Sequence, residues 1–362
     1  MLPIVSAPGR VNLIGEHIDY HQLPVLPMAL RRGIRVRFEP RADAQIRATS
    51  AAYGDRQFTW QPSLSPVARG DWENYLRAAA QAIAGKWGVL HGIDAVIESD
   101  LPAAAGLSSS SALIVAITLA ILHANHREAT FQDLMEILPE GEHFVGTRGG
   151  GMDHAASLAS REGCATLIGF VPLTVRHIPV PEGWGFLVAD SLVRAEKSGA
   201  VRERYNAVRA AGTDALRQIG FASYVDLIAQ RSEQDLTSLA AARHLPAAFL
   251  HVVTEAFRVQ HAVEAMQQAD LARFAQILLA SHASLRDRLQ VSCPALDRLI
   301  DAAMDAGALG ARLTGAGFGG CAIILCRRDH LALVRSRLAA RFYSGDATHI
   351  WTAHPGRGAV HS

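Results

Sequence analysis

The chain has 362 residues, 49% hydrophobic and 19% charged, which suits one large or two average domains and excludes wholesale disorder. Thirty-five Lys and Arg stand against 34 Asp and Glu, and the resulting net charge of +1 gives no overall basic field for nucleic acid or an anionic membrane. The four cysteines, Cys164, Cys293, Cys321 and Cys326, form no Cys-x-x-Cys pair and are too sparse for a disulfide scaffold, so reduced thiols and a cytoplasmic location are expected. No signal peptide is expected, because Pro3 and the polar run at 6–10 interrupt any apolar stretch. The longest apolar run, residues 112–122, is about half of what a bilayer span needs.

In chain order, the first thirty residues read as short extended stretches broken by Pro and Gly, and residues 33–38 alternate as a strand does. Trp72, Leu76, Ala79, Ile83 and Trp87 share one face at helical spacing, which predicts a helix over 72–87. Ile93, Ala95 and Ile97 alternate with Asp94, Val96 and Glu98, which predicts a strand; a small-residue loop (101–111) and an apolar helix (112–123) follow. Pro-Val-Pro-Glu-Gly at 179–183 reads as a linker, followed by a strand at 186–189. Ala- and Arg-rich helical segments cover 196–219 and 246–289, and a Gly-rich stretch at 310–320 runs into a strand at 321–326. Strands and helices mix without strict alternation, so an α+β chain of two domains is expected, divided at 1–180 and 181–362.

Four segments carry candidate chemistry. The first, Leu-Pro-Ala-Ala-Ala-Gly-Leu-Ser-Ser-Ser-Ser-Ala (101–112), lies between a strand and an apolar helix. Its small residues let a ligand approach the backbone, and its serines fall at a helix N-terminus, where free amides and the dipole favour a phosphate. Serine hydroxyls add donors for phosphate oxygens or a ligand for Mg²⁺; the plain alternative is a Ser-capped core helix. No Gly-Lys-Ser/Thr follows, so this is not a Walker A loop. The second segment (7–20) crowds Arg10, Asn12, Glu16, His17 and Asp19 beside Val11, Leu13 and Ile14. Carboxylates and imidazole suit the vicinal hydroxyls of a sugar, and the alternative is a solvated loop with ion pairs.

The third segment (310–321) contains Gly315, Gly317 and Gly320 in a G-x-G-x-x-G match, but it leads into a strand and no acidic residue follows as dinucleotide binding demands. A loop packed tightly against another loop or a ligand is expected instead. In the fourth (141–154), Asp153 follows three glycines and a Met. A carboxylate held by backbone beside apolar packing can act as a base, or it can simply cap a turn. There is no HExxH, no Cys/His ligand grid, no G-x-S-x-G elbow and no HRD or DFG set.

Together these segments resemble the GHMP kinase superfamily and, within it, the galactokinase family. Arg-Val-Asn-Leu-Ile-Gly-Glu-His-Ile-Asp-Tyr (10–20) is similar to the galactokinase signature, and residues 102–112 to the family's ATP loop. Val-Leu-Pro-Met-Ala (25–29), Trp-Glu-Asn-Tyr (72–75), Ser-Leu-Arg-Asp (284–287) with Val-Ser-Cys-Pro (291–294), and residues 314–321 also look like family motifs. Residues 146–153 and 313–321 look closest to the branch holding N-acetylgalactosamine kinase and the yeast-type galactokinases, which keeps N-acetylgalactosamine open as an alternative sugar. A non-catalytic galactose and ATP sensor is a further alternative, as is a GHMP kinase for an isoprenoid or amino-alcohol.

The resemblance implies a two-domain GHMP kinase fold: an N-terminal domain like domain 2 of ribosomal protein S5, a C-terminal ferredoxin-like domain, and the active site between them. It implies phosphorylation of the galactose C1 hydroxyl by ATP with Mg²⁺. Asp153 is then the base and Arg10 the stabiliser of the transferring group. Glu16, His17, Asp19, Gly150 and Tyr205 contact the sugar. Ala104, Ala105, Gly106, Leu107, Ser108, Ser109 and Ser110 wrap the phosphates, and Ser110 with Glu142 holds the metal. Ala104, His154, His21 and Arg288-Leu289 depart from the family pattern. The implied partners are galactose and ATP, with no nucleic acid and no membrane, for a monomer.

Overall fold

The computed structural model describes residues 2–102, 106–146, 149–194 and 199–361. The larger sheet is built on β1 (Ile4–Ile14) and β2 (Leu26–Pro40), an antiparallel pair. The expected breaks at Pro and Gly do not occur. Pro8 and Gly9 lie in a bulge where the register slips between Pro8 and Arg10, and the strand runs on through it. Gly9 is required there: a Cβ would stand 2.7 Å from the Leu107 carbonyl oxygen and 2.6 Å from the Leu101 side chain. Along β2, Ile34, Val36 and Phe38 are buried while Arg35 and Arg37 are exposed, so the alternation at 33–38 belongs to a longer strand.

β3 (Gln45–Ser50), β4 (Gly54–Thr59) and β5 (Ile93–Ser99) extend this sheet, β3 pairing parallel with β5. The helix expected at 72–87 is α1 (Glu73–Trp87). α2 (Ser109–Ala124) packs on β1 and β2 and is apolar on almost every face, as a fully buried helix must be. It starts three residues before the expected 112, so Ser109 to Ser111 form its first turn. α3 (Phe131–Phe144) packs on α1, and α4 (Met152–Ala159) packs on β1 and α2. A hairpin of β6 (Cys164–Phe170) and β7 (Leu173–Pro179) follows, and residues 179–183 are its short exit into β8 (Trp184–Asp190).

The second sheet has the order β11-β8-β10-β9, with β9 (Gly310–Leu313), β10 (Cys321–Arg327) and β11 (Ile350–Thr352), all antiparallel. Both of its faces are covered. Phe186, Val188, Ile323 and Leu325 share one cluster with Phe274, while Leu187, Ala189, Ala322 and Ile324 join Leu299 and Leu338 in another. That is why β8 and β10 read as unbroken apolar runs. The helices here are α5 (Ala200–Gln218), α6 (Tyr224–Gln230), α7 (Glu233–Ala242), α8 (Ala247–Gln267), α9 (Leu271–Ala283), α10 (Pro294–Asp305) and α11 (Leu331–Phe342). The single segment expected over 246–289 is divided: Ala269 takes a left-handed φ of 54°, and the Asp270 side chain caps α9 by accepting from the Arg273 amide at 2.9 Å.

The chain finally returns to the first sheet. The Gly356 amide donates to the Ala29 carbonyl at 2.7 Å, and β12 (Val360–His361) pairs antiparallel with β1, completing the order β12-β1-β2-β5-β3-β4. One core cluster accordingly joins Val5 and Val36 of the first sheet to Phe249 and Phe274 of the later helices. Among the described residues, no helix is long and apolar enough to cross a membrane.

Candidate active site

The site begins at β1. Arg10 points inward from this strand with its side chain 5% exposed, and its Nε and Nη2 both lie 2.7 Å from Asp153 Oδ1. Its Nη1 donates to the Gly106 carbonyl at 2.9 Å, and its backbone amide donates to the Leu107 carbonyl at 3.2 Å. Arg10 therefore ties the candidate base to the candidate phosphate loop. Burial disfavours the guanidinium charge, but Asp153, Glu16 and Asp19 outweigh it and raise its pKa. Asp153 stands in the first turn of α4, placed there by Gly151 with φ 97°.

The turn after β1 supplies three more groups. Glu16 Oε1 accepts from the Gly315 amide at 2.6 Å and lies 3.3 Å from Arg312 Nη2. Burial pushes the Glu16 carboxyl above its usual range, against the pull of Arg312 and Arg10. His17 sits 3.1 Å through Nε2 from the Ala316 carbonyl and 2.9 Å through Nδ1 from the Tyr20 hydroxyl. A carbonyl only accepts, so the tautomer assigned is Nε2–H, with Nδ1 accepting from Tyr20. Burial holds the His17 pKa down to about 3, so the ring is neutral. Asp19 Oδ2 accepts from the Gly150 amide at 3.0 Å. Burial, then the charges of Asp153 and Glu16, push Asp19 up to about 6. Gly150 can only be glycine, since a Cβ would lie 2.2 Å from the Asp19 carbonyl carbon. Tyr205, on α5, packs its ring 5.2 Å from that of His17 and 5.6 Å from that of Tyr20.

These residues meet around one cavity of about 670 Å³, open at its mouth. Arg10, Glu16, His17, Asp19, Gly150, Asp153 and Tyr205 all line it, together with Glu142, Gly315 and Ala316. The sequence expectation for the sugar contacts thus corresponds to one place in space. The phosphate loop lies behind Arg10. Ala104 and Ala105 fall outside the described residues. Gly106 and Leu107 lead to Ser108, which takes a left-handed φ of 59° just before α2. No side chain caps α2, and the buried Ser108 hydroxyl has no hydrogen-bond partner among the described residues. An oxyanion would satisfy both that hydroxyl and the helix's first amides. Ser109 and Ser110 are half-buried in the first turn. Ser110 was paired with Glu142 on sequence grounds, yet the serine whose hydroxyl donates to Glu142 is Ser111, one residue and about 100° further round the helix.

The Gly-rich third segment packs as expected. A Cβ on Gly315, whose φ is 86°, would stand 3.0 Å from the Gly106 carbonyl oxygen, so the loop closes directly on the phosphate loop. Sequence reasoning missed the groups that hold it there. Arg312 is fully buried and donates through Nη1 to the Asn12 and Leu13 carbonyls, each at 2.9 Å. The Asn12 amide donates to Thr314 Oγ1 at 2.9 Å. From α8, Glu255 accepts from the Gly15 amide at 3.0 Å, and His251 Nε2 lies 3.0 Å from the Glu16 carbonyl. The only hint of this brace in the sequence is a charged residue, Arg312, inside an apolar strand. His154, beside Asp153, is completely buried.

Comparison with known proteins places these observations. Residues 74–161 match the GHMP kinases N terminal domain, 262–344 the GHMP kinases C terminal domain, and 3–40 the galactokinase galactose-binding signature. The galactokinase of Chloroflexus aurantiacus is 38% identical over 336 residues, covering 91% of this chain and 85% of that one. The chain belongs to the galactokinase family. The Homo sapiens galactokinase is 35% identical over 360 residues, covering 95% of this chain and 88% of that one. The crystal structure of Lactococcus lactis galactokinase complexed with galactose superposes with a TM-score of 0.89 at 25% identity, over 99% of this chain and 95% of that one. A mevalonate kinase at 18% identity, TM-score 0.66, shares the two-domain α+β fold of the galactokinases and their GHMP relatives.

Proposed function

We propose that the protein transfers the γ-phosphoryl group of ATP to the C1 hydroxyl of galactose, giving galactose 1-phosphate and ADP. Its family membership supports the substrates, since the galactokinases it matches cover most of its length. The observation that carries the chemistry is the Arg10–Asp153 pair, joined through Arg10 Nη1 to the Gly106 carbonyl on the wall of the cavity.

Asp153 accepts the C1 hydroxyl proton as the oxygen attacks phosphorus, and the phosphoryl bond to ADP breaks. Arg10 keeps Asp153 ionised, orients it through Oδ1 and stabilises the charge on the transferring group. Asp19 and Glu16 accept sugar hydroxyls, Gly150 presents backbone to the ring, and His17 and Tyr205 close the cavity with their rings. Residues 104–110 receive the phosphates, with the unpartnered Ser108 hydroxyl as one donor. Phosphoryl transfer depends on positioning and charge neutralisation, which these groups supply without a P-loop lysine.

The donor set also fits Mg²⁺. Glu142 offers a buried carboxylate and Ser110 a half-buried hydroxyl beside the phosphate loop, and Mg²⁺ typically takes one or two protein oxygens and completes its shell with water and phosphate. When bound, it neutralises charge on the phosphate oxygens. Four unpaired cysteines support a reducing, cytoplasmic setting, and a monomer belongs to the same reading. The test is an ADP-release assay over galactose, N-acetylgalactosamine, glucose, mevalonate and homoserine. Mg²⁺-dependent turnover with galactose preferred is expected, and no turnover on any sugar would overturn the reading.

A further inference from the structure

We propose that Ser111 is a positioning residue that fixes the orientation of the Glu142 carboxylate. The proposal rests on the reading of Glu142 as the metal-binding carboxylate. Ser111 is the third residue of α2 and has no solvent exposure. Its hydroxyl donates to Glu142 Oε1, and the same oxygen lies 3.5 Å from Asp153 Oδ2, at the edge of hydrogen-bond reach. One hydroxyl has one proton to give, and the shorter contact assigns it to Glu142.

The two carboxylates are thus held by different groups: Asp153 through Oδ1 by Arg10, Glu142 through Oε1 by Ser111. Among the described residues Ser111 is the hydrogen-bond partner of Glu142. The other oxygen, Oε2, lies against Gly149, where a Cβ would stand 2.9 Å from it, and both Glu142 and Gly149 line the cavity. Ser111 therefore occupies the inner oxygen and leaves the outer one for a cation. A buried hydroxyl that sets the direction of a ligating carboxylate governs metal affinity while leaving the sugar contacts alone.

The test compares Ser111→Ala, Glu142→Gln and the double variant. Alanine keeps the Cβ and favours helix, so α2 should survive; circular dichroism and the melting temperature check this. Binding of Mn²⁺ in the presence of ADP, read from the free-ion resonance without turnover, is expected to weaken about 10-fold or more in S111A. Galactose affinity by calorimetry without metal should stay within about twofold, since no sugar contact is removed. In the Glu142→Gln background, removing the hydroxyl should change Mn²⁺ affinity little further. Unchanged Mn²⁺ affinity in S111A with weakened affinity in E142Q overturns the role of Ser111. Unchanged affinity in E142Q overturns the metal reading of Glu142 and this proposal with it. Equal losses of metal affinity, sugar affinity and stability in S111A indicate a merely structural hydroxyl and also overturn it.

Discussion

Replacing Asp153 by Asn keeps the shape of the side chain and removes its charge, which separates two consequences of the Arg10–Asp153 pair. Arg10 is 5% exposed and Asp153 12%, so the variant strands a guanidinium in a low-dielectric site. Removing one partner of a buried pair costs about 3–5 kcal/mol; Asn retains an accepting oxygen, so the loss should lie at or below the lower end. Loss of the proton acceptor should lower kcat about 100- to 10,000-fold, or about 3–5 kcal/mol on the barrier. Adding Arg10→Met removes the stranded charge and should restore most of the stability, while activity stays lost. Thermal unfolding and a coupled ADP-release assay at saturating galactose and MgATP measure the two effects. A folded Asp153→Asn enzyme within about tenfold of the parent kcat would refute the assignment, because a bystander carboxylate is dispensable to the chemical step.

Further expectations concern the sugar, the loops and pH. Gly150→Ala forces a methyl to within 2.2 Å of the Asp19 backbone. It should raise the galactose KM at least about tenfold with the ATP KM unchanged, alongside about 1–3 kcal/mol of strain read by unfolding. Gly315→Ala imposes a φ of 86° on a residue with a Cβ and crowds the Gly106 carbonyl at 3.0 Å. It should raise the ATP KM about three- to tenfold in steady-state kinetics. Asp19 has a folded pKa near 6, above its unfolded value. Its contribution to stability is therefore present below pH ~4 and lost as pH rises through ~6, by at most about 3 kcal/mol, a slope that Asp19→Asn should abolish in pH-dependent unfolding. The ionised form is the hydroxyl acceptor, so galactose affinity should weaken as pH falls through about 6; calorimetry showing flat affinity from pH 5 to 8 would contradict this.

Much of the site was legible because chemistry-bearing residues sit at short spacing. Arg10, Glu16, His17 and Asp19 come from one segment and Gly150 and Asp153 from another, and all face the same cavity. What could not be read depends on residues far away in sequence. The passage of β1 through Pro8 and Gly9 is set by Leu101 and Leu107, which press on a position where no side chain fits. The choice of Ser111 over Ser110 for contact with Glu142 follows from helical phase, and the start of α2 was placed three residues late. Arg312 gave no periodic signal, since a single buried cation breaks the strand pattern instead of forming one. The division of α8 from α9 turns on one left-handed Ala269, which composition does not announce.

The brace between the opening strand and the Gly-rich loop bears on biosynthesis. The Asn12 amide and Thr314 Oγ1 bond across 302 positions, and Arg10 meets Asp153 across 143. Contacts of such long sequence separation form slowly, because loop closure precedes any reward from pairing. At about 5–20 residues per second, a nascent chain spends many seconds with its phosphate-gripping and hexose-gripping groups made but their far wall still inside the ribosome. Catalytic competence should therefore arrive late in translation, and a fragment cut before Gly315 should be inert however well its first sheet folds.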